Sequence, residues 1–327
     1  MSKLVTIIGG SGFIGRYIAR RMAKEGWRVR VASRRPNEAL FVRTYGVVGQ
    51  VEPVFCNIRD DLSVRAAVTG ADAVVNCVGI LVNEGKNRFD AVQAEGAGRV
   101  ARIAAEEGVA HLVQISAIGA DAASDSDYQR SKAAGEAAVL SAYPEAVILR
   151  PSIVFGFEDG FFNRFAGMAR RMIVLPLVGA ETRFQPVHVE DVAEAAARAA
   201  LGQAAPGIYE LGGPEVLTLR QIVTAMLQEI RRRRAVVNMP FGVGAAIGGA
   251  LDLMQTLSMG LYTNRTLTRD QVRNLRRDNV VAPDARGFEA LGIRPTPFEA
   301  VIPEYLWRYR PTGQYDAIKE SARNLRG

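Results

Sequence analysis

The run Leu4-Val5-Thr6-Ile7-Ile8-Gly9-Gly10-Ser11-Gly12-Phe13-Ile14-Gly15 decides the fold. Leu4 to Ile8 is a short, mostly branched apolar stretch that stops at glycine, the pattern of a strand buried in a parallel sheet. Arg16 to Glu25 contains neither Pro nor Gly and sets Tyr17, Ile18, Ala19 and Met22 at helical spacing. Strand, glycine turn and helix in that order are the context in which a glycine motif becomes a nucleotide site. Two registers fit, Gly10-x-Gly12-x-x-Gly15 and Gly9-x-x-Gly12-x-x-Gly15. One glycine permits the tight turn, one lets the backbone approach a pyrophosphate, and one lets helix and strand pack closely. The helix start then offers free N–H groups and partial positive charge. The expected contacts are Gly9, Ser11, Gly12, Phe13, Ile14 and Gly15. A tight turn without a ligand is the alternative.

Composition bounds the rest. The chain has 327 residues, enough for one large α/β domain or a core domain with a smaller appended one. Lys+Arg exceeds Asp+Glu by 41 − 34, a net charge of +7. That surplus fits an acidic partner: a cofactor phosphate, an anionic membrane or an acidic protein face. The basic residues are dispersed apart from one run, no nucleic-acid recognition module is visible, and no nucleic-acid partner is expected. Cys56 and Cys77 end apolar, strand-like segments without metal-ligand spacing, so no metal site is expected, and both read as core residues of a reducing compartment. His111 and His188 read as structural. No secretory leader is visible ahead of the first strand, and no run has the length of a membrane span.

Strand and helix signals alternate through the first 150 or so residues. Arg28–Ala32, Val51–Cys56, Ala73–Cys77, His111–Ile115 and Ala146–Leu149 read as strands; Phe89–Glu107 and Tyr128–Ser141 read as helices. Repeated βα units imply an α/β fold with a doubly wound parallel sheet, helices on both faces and ligands beyond the carboxyl ends of the strands. After the second strand stands Ser33-Arg34-Arg35. An acidic residue here would meet a ribose 2′-hydroxyl; two guanidiniums instead match a 2′-phosphate and predict NADPH. Two solvated arginines are the plain alternative. Asn57 and Ile58, then Val78 and Gly79, are placed to edge the adenine and ribose. Tyr128 and Lys132, four apart, share a helix face. A nearby ammonium favours the phenolate and would tune Tyr128 toward acid/base work, while Lys132 could also donate to ribose hydroxyls.

These motifs, with Leu149-Arg150-Pro151-Ser152-Ile153-Val154-Phe155-Gly156 and Gln185-Pro186-Val187-His188-Val189-Glu190-Asp191-Val192-Ala193, resemble the extended and atypical short-chain dehydrogenase/reductase superfamily over about the first 215 residues. The resemblance implies a Rossmann domain, places Pro151 beside the nicotinamide, and pairs Tyr and Lys with a Ser or Thr. That hydroxyl belongs third in the run closing the fifth strand, where this chain has Ser116-Ala117-Ile118. Isoleucine offers no hydrogen bond. Ser116 points the other way if strand alternation continues, and Ser124 or Ser126 would have to substitute; Ser116, at the strand end, is expected as a cofactor contact together with Tyr128 and Lys132.

In the second half, Leu217-Thr218 opens a helix that ends in Arg231-Arg232-Arg233-Arg234. Met239 to Tyr262 follows, carrying five glycines and a single charge, Asp252. The glycines make it a poor isolated helix. It reads either as a core or lid segment or as a surface that docks on a membrane or a membrane-bound partner. Leu267–Val272, Leu291–Glu299 and Tyr305–Arg310 extend the resemblance to nearly the whole chain and narrow it to the NADPH-binding accessory subunits of respiratory complex I, the NADH:ubiquinone oxidoreductase. That group implies a structural NADPH, complex I subunits as partners and a seat at the junction of the hydrophilic and membrane arms. It also implies a peripheral place on the cytoplasmic side of a bacterial inner membrane, or the matrix side in a mitochondrion. The expected division is a Rossmann domain over 1–155, with 184–213 returning to it, and a smaller C-terminal α/β domain over 156–327. An active NADPH-dependent reductase or epimerase using Tyr128 and Lys132 is the competing reading. A module sensing NADP(H) redox state is a third.

Overall fold

The computed structural model describes residues 2–258, 261–264, 266–311, 313 and 315. Residues 316–327 of the expected second domain, and 259–260 of the apolar segment, lie outside the described residues. In chain order the strands are β1 (Leu4–Ile8), β2 (Arg28–Ser33), β3 (Val51–Phe55), β4 (Ala73–Asn76), β5 (His111–Ile115), β6 (Val147–Pro151), β7 (Val154–Phe155), β8 (Val174–Val178), β9 (Arg183–Phe184), β10 (Val187–His188), β11 (Gly207–Leu211), β12 (Leu217–Thr218) and β13 (Ala235–Met239). The α-helices are α1 (Phe13–Lys24), α2 (Asp61–Val68), α3 (Glu95–Glu106), α4 (Asp127–Ala142), α5 (Phe162–Arg171), α6 (Val189–Ala200), α7 (Leu219–Glu229), α8 (Phe241–Leu257), α9 (Arg269–Asn274) and α10 (Phe298–Leu306).

Seven strands form one sheet in the order β11-β6-β5-β4-β1-β2-β3, every neighbouring pair parallel. The order in which successive strands are added reverses between β1 and β4, which opens a crevice at their carboxyl ends. Strand alternation divides β1 between two cores. Val5 and Ile7 pack with Ile18 and Met22 of α1 and the alanines of α6. Ile8 faces the other way, onto Val74, Val100, Ile103 and Leu112. Alanines at 195, 196 and 199 let α6 lie close on α1. Each fully buried branched side chain contributes roughly 1.5–3 kcal/mol relative to exposure. The helix expected over 89–107 is interrupted: a π-turn (Asp90–Ala94) precedes α3.

A third core lies beyond β6. Phe155, Phe162 and Phe298 stack there with Leu175, Leu177 and Ile302. Phe162 and Phe298 ring centroids are 5.5 Å apart, and Phe155 meets Phe298 edge-on at 5.9 Å. Asp159 accepts the Phe162 amide at 2.6 Å and the Tyr305 hydroxyl at 2.7 Å, fastening α10 to the start of α5. The segment read as a poor helix is α8. Its buried residues are Gly244 and Gly248. A Cβ at Gly244 would stand 2.6 Å from Val178, and one at Gly248 2.9 Å from the Arg269 amide. The glycines that weaken the isolated helix are the ones that let it lie down. Within the arginine run, Arg232 and Arg234 donate to the carbonyls of Tyr309 and Ala169 at 2.9 and 2.8 Å.

Candidate functional site

The glycine turn closes as its spacing demands. Gly9 sits at φ +78°, in the left-handed region. A Cβ on Gly15 would stand 2.5 Å from the Gly9 carbonyl oxygen, so only glycine lets α1 start this close to β1. Gly12 is the extended N-cap of α1, and no side chain caps it. The amides of the first turn, from Phe13 to Gly15, are therefore left for a ligand. Arg16 pins the loop from its carbonyl side, donating to Gly12 at 3.3 Å and Ser11 at 3.2 Å while pairing with Glu158 at 3.1 Å. Phe13 packs edge-on against Tyr17, and Ile14 leans on the β1 core.

A cavity of about 250 Å³ opens over the turn. The ends of four strands line it: Gly9, Ser11 and Gly12 after β1; Ser33 and Arg34 at the end of β2; Asn57, Ile58 and Arg59 after β3; Val78 and Gly79 after β4. Arg35 is not on the wall. It points out to Glu38 at 3.1 Å, and both side chains are largely exposed. Arg59 and Ser33, in loops the sequence reading placed near the nucleotide but did not name as contacts, are also on the wall. Arg59 comes from a loop whose approach to Arg34 needs the folded sheet. Ser33 precedes the arginines, and its Oγ is buried with no hydrogen-bond partner among the described residues. Arg34 donates to Asn87 Oδ1 at 3.0 Å and Arg59 to the Lys86 carbonyl at 2.9 Å, so both hold the turn bridged by Glu84 and Asn87. A larger recess of about 530 Å³ lies between Phe157 and Tyr309.

Around Tyr128 and Lys132 the hydroxyls expected as their partner are bonded to other side chains. Ser116 Oγ donates to the Glu136 carboxylate, which also receives Arg150 Nε at 2.9 Å. Ser124 Oγ bonds Gln129 at 2.6 Å, and Ser126 Oγ bonds Asp270 at 2.9 Å while capping α4. Ile118 is buried at 6 % exposure, its amide donating to the Pro151 carbonyl at 3.1 Å. Each candidate hydroxyl is thus committed elsewhere. Lys132 Nζ stands 5.9 Å from the Tyr128 ring centroid and donates to the Ile115 carbonyl at 3.4 Å. Burial pushes the Tyr128 phenol up to about 12, the direction opposite to the expected tuning, and the Lys132 ammonium down to about 8. Cys56 and Cys77 are likewise pushed up by burial, to about 11 and about 12, and are poor nucleophiles.

The cradle fits a dinucleotide phosphate. It offers uncapped amides, a glycine N-cap with no side chain in the way, and an orphaned Ser33 hydroxyl between two arginine-bearing loops. The pattern of the NAD dependent epimerase/dehydratase family matches residues 5–212. The chain belongs to this family. Structural likeness agrees: the Thermus thermophilus UDP-glucose 4-epimerase, solved with NAD, superposes with TM-score 0.68 at 21% identity, covering 94% of this chain and 99% of that one. Among relatives, the mitochondrial "NADH dehydrogenase [ubiquinone] 1 alpha subcomplex subunit 9" of Arabidopsis thaliana is 34% identical over 317 residues, 95% of this chain and 79% of its own length. The "NADH-ubiquinone oxidoreductase 40 kDa subunit" of Neurospora crassa is 30% identical over 95% of this chain and 80% of its own. A "Ceramide reductase" of Caulobacter vibrioides is 34% identical over 58% of each chain. Within the epimerase/dehydratase family, this chain groups over nearly its full length with the complex I subunits.

Proposed function

We propose that this epimerase/dehydratase family member is a non-catalytic accessory subunit of respiratory complex I that holds NADPH as a structural ligand. The observation carrying this reading is the contrast inside one site: the glycine cradle is complete, while a buried Ile118 stands where the hydroxyl partner of Tyr128 belongs. The amides of Phe13 to Gly15 would hold the pyrophosphate. Arg34, Arg59 and Ser33 would hold the 2′-phosphate, Asn57 and Ile58 would edge the adenine, and Lys132, Val78, Gly79 and Pro151 would border the nicotinamide half. NADPH supplies a hydride where a substrate and acid are in place; in this chain it supplies charge and rigid surface. A ligand that binds only the folded state stabilises it by mass action.

The full-length relatives support complex I subunits as partners. Among the described residues, no helix is long and apolar enough to cross a membrane. The exposed apolar side of α8, reached from the arginines at 231–234, supports a peripheral seat on the membrane surface near the arm junction. We place it on the cytoplasmic side of a bacterial inner membrane, or the matrix side in a mitochondrion, with no role for nucleic acid. Complex I isolated from the native membrane should contain this chain and release NADPH on denaturation. Complex I lacking it, with the chain recovered only free, overturns the proposal. The retained Tyr128/Lys132 pair and the reductase relative favour one second reading, an active NADPH-dependent reductase. Turnover with ketone or quinone substrates that disappears in Tyr128→Phe would establish it.

A further inference from the structure

The recess between Phe157 and Tyr309 shares no wall residue with the cavity over the glycine turn. Glu158, Asn163, Arg170 and Arg308 complete its lining. Arg308 is clamped there. Its Nη2 donates to the Phe157 carbonyl at 3.0 Å and to Asn163 Oδ1 at 2.6 Å. Its guanidinium lies 4.6 Å from the Phe157 ring centroid and 5.3 Å from that of Tyr309. Tyr309 joins the clamp, its hydroxyl donating to Asn163 Oδ1 at 3.1 Å. The acceptors Arg308 has are thus neutral oxygens, and its Nε is buried with no acceptor among the described residues. A buried donor left unbonded is costly and calls for a reason.

The charge around this recess is uncompensated. Arg170, in the last turn of α5, is exposed and makes no hydrogen bond or ion pair among the described residues. Nearby, Arg232 and Arg234 are fixed to the carbonyls of Tyr309 and Ala169. Burial first, then the charges of Arg234 and Arg170, push the Arg232 guanidinium below its ordinary value. The acid on the recess wall is spent: Glu158 pairs with Arg16 at 3.1 Å and accepts the Tyr17 hydroxyl at 2.7 Å. Asp159, next in the chain, is taken by the Tyr305 hydroxyl and the amides of Gly156, Phe162 and Asn163. Like charges gathered without a counter-ion raise one another's energy, and a bound anion relieves it. We propose that this recess binds a phosphoryl group between Arg170 and Arg308. A phosphomonoester brings nearly two negative charges and three acceptor oxygens, which suits a pair of guanidinium forks better than one carboxylate does. Phe157, half exposed, offers an apolar wall to the carbon skeleton beside the phosphate. A phosphatidic acid headgroup and a soluble glycerol phosphate share this chemistry. The site does not rest on the nucleotide reading.

The probe is glycerol 3-phosphate, titrated by 31P NMR into the full-length protein with NADPH in excess. Arg170→Gln should weaken its binding about tenfold, the loss of one charged hydrogen bond to phosphate. Arg308→Lys, which keeps the charge and loses the fork, should act in the same direction. Arg34→Ala, in the other cavity, should leave binding unchanged. Arg170 is exposed, so its variant decides the matter even where Arg308→Lys fails to fold. A parent chain that does not bind the probe, or equal losses in Arg170→Gln and Arg34→Ala, overturns the proposal. Acetate that competes as well as inorganic phosphate also overturns it and points to an acidic protein side chain as the occupant. Phosphatidylcholine vesicles containing phosphatidic acid then separate the two sources. Weaker sedimentation of Arg170→Gln than of the parent supports a lipid headgroup; equal sedimentation with glycerol 3-phosphate binding lost supports a soluble ester.

Discussion

Arg34 donates from Nη1 to Asn87 Oδ1 at 3.0 Å on the wall of the cavity over the glycine turn, whereas its sequence neighbour Arg35 turns outward to Glu38. Adjacent residues leaving a strand point to opposite sides, so only one of the pair faces the crevice. Arg34→Ala should therefore weaken NADPH by about ten- to a hundredfold and leave NADH unchanged, the range for losing a charged hydrogen bond to phosphate. Arg35→Ala should change neither. Titration of each variant with both nucleotides decides it, and an equal effect of the two substitutions would falsify the assignment.

Ser116 gives a prediction of the opposite kind. The strand-end position made it a candidate cofactor contact, yet its hydroxyl is spent on Glu136. That carboxylate also holds Arg150, which pairs with Glu210 at 3.3 Å. Ser116→Ala should lower stability by about 1.5–3 kcal/mol, the cost of a hydrogen bond to a charged group, with no change in NADPH affinity. Arg150→Met should cost more, about 3–5 kcal/mol, because it leaves Glu136 buried and unpaired. Denaturant melts rank the two variants. A reversed order would mean that Glu136 is satisfied without Arg150.

These two residues show where sequence reading reaches and where it stops. The sheet was legible because buried parallel strands are written as apolar runs ending at loops, as in Leu4–Ile8 and Ala73–Asn76. The glycine turn was legible because Gly9 and Gly15 each answer a local steric demand. The convergence of Arg34 and Arg59 on one wall was not, since it depends on loops brought together from β2 and β3. The helicity of α8 was hidden for a related reason. Its propensity is low, and what forms it is contact of Gly244 with Val178 and of Gly248 with the start of α9, both distant in sequence.

Lys132 makes stability depend on pH. Burial lowers its ammonium from an ordinary value of 10.5 to about 8. Between those values the unfolded chain binds more protons at this site than the folded one, so the contribution of Lys132 to stability rises with pH. Below about pH 8 both states are protonated and the burial penalty is felt in full. In nucleotide-free protein, the melting temperature of Lys132→Met minus that of the parent should be most positive near pH 7 and shrink through pH 9.5. Groups titrating alike in both proteins cancel in the difference, so a flat difference would show that Lys132 keeps its charge when folded.

The outer side of α8 carries the docking argument. Its single acid is turned inward: Asp252 accepts the Arg269 amide at 2.9 Å and the Asn264 side-chain amide at 2.7 Å. Val243, Ile247, Leu253, Met254 and Leu257 follow helical spacing along one side, with Leu253 58 % and Leu257 69 % exposed. Leu261 beyond the helix is 96 % exposed. Exposed side chains of this kind contribute little to folding, so Leu253→Glu with Leu257→Glu should shift stability by less than about 0.5 kcal/mol per site. The same pair places two anions on a face that a lipid surface would bury beside basic residues. The parent chain should therefore sediment with anionic phospholipid vesicles, the double variant should remain in the supernatant, and both should bind NADPH equally. Equal sedimentation would remove α8 from the membrane contact, and loss of NADPH binding in the variant would show that the face belongs to the fold instead.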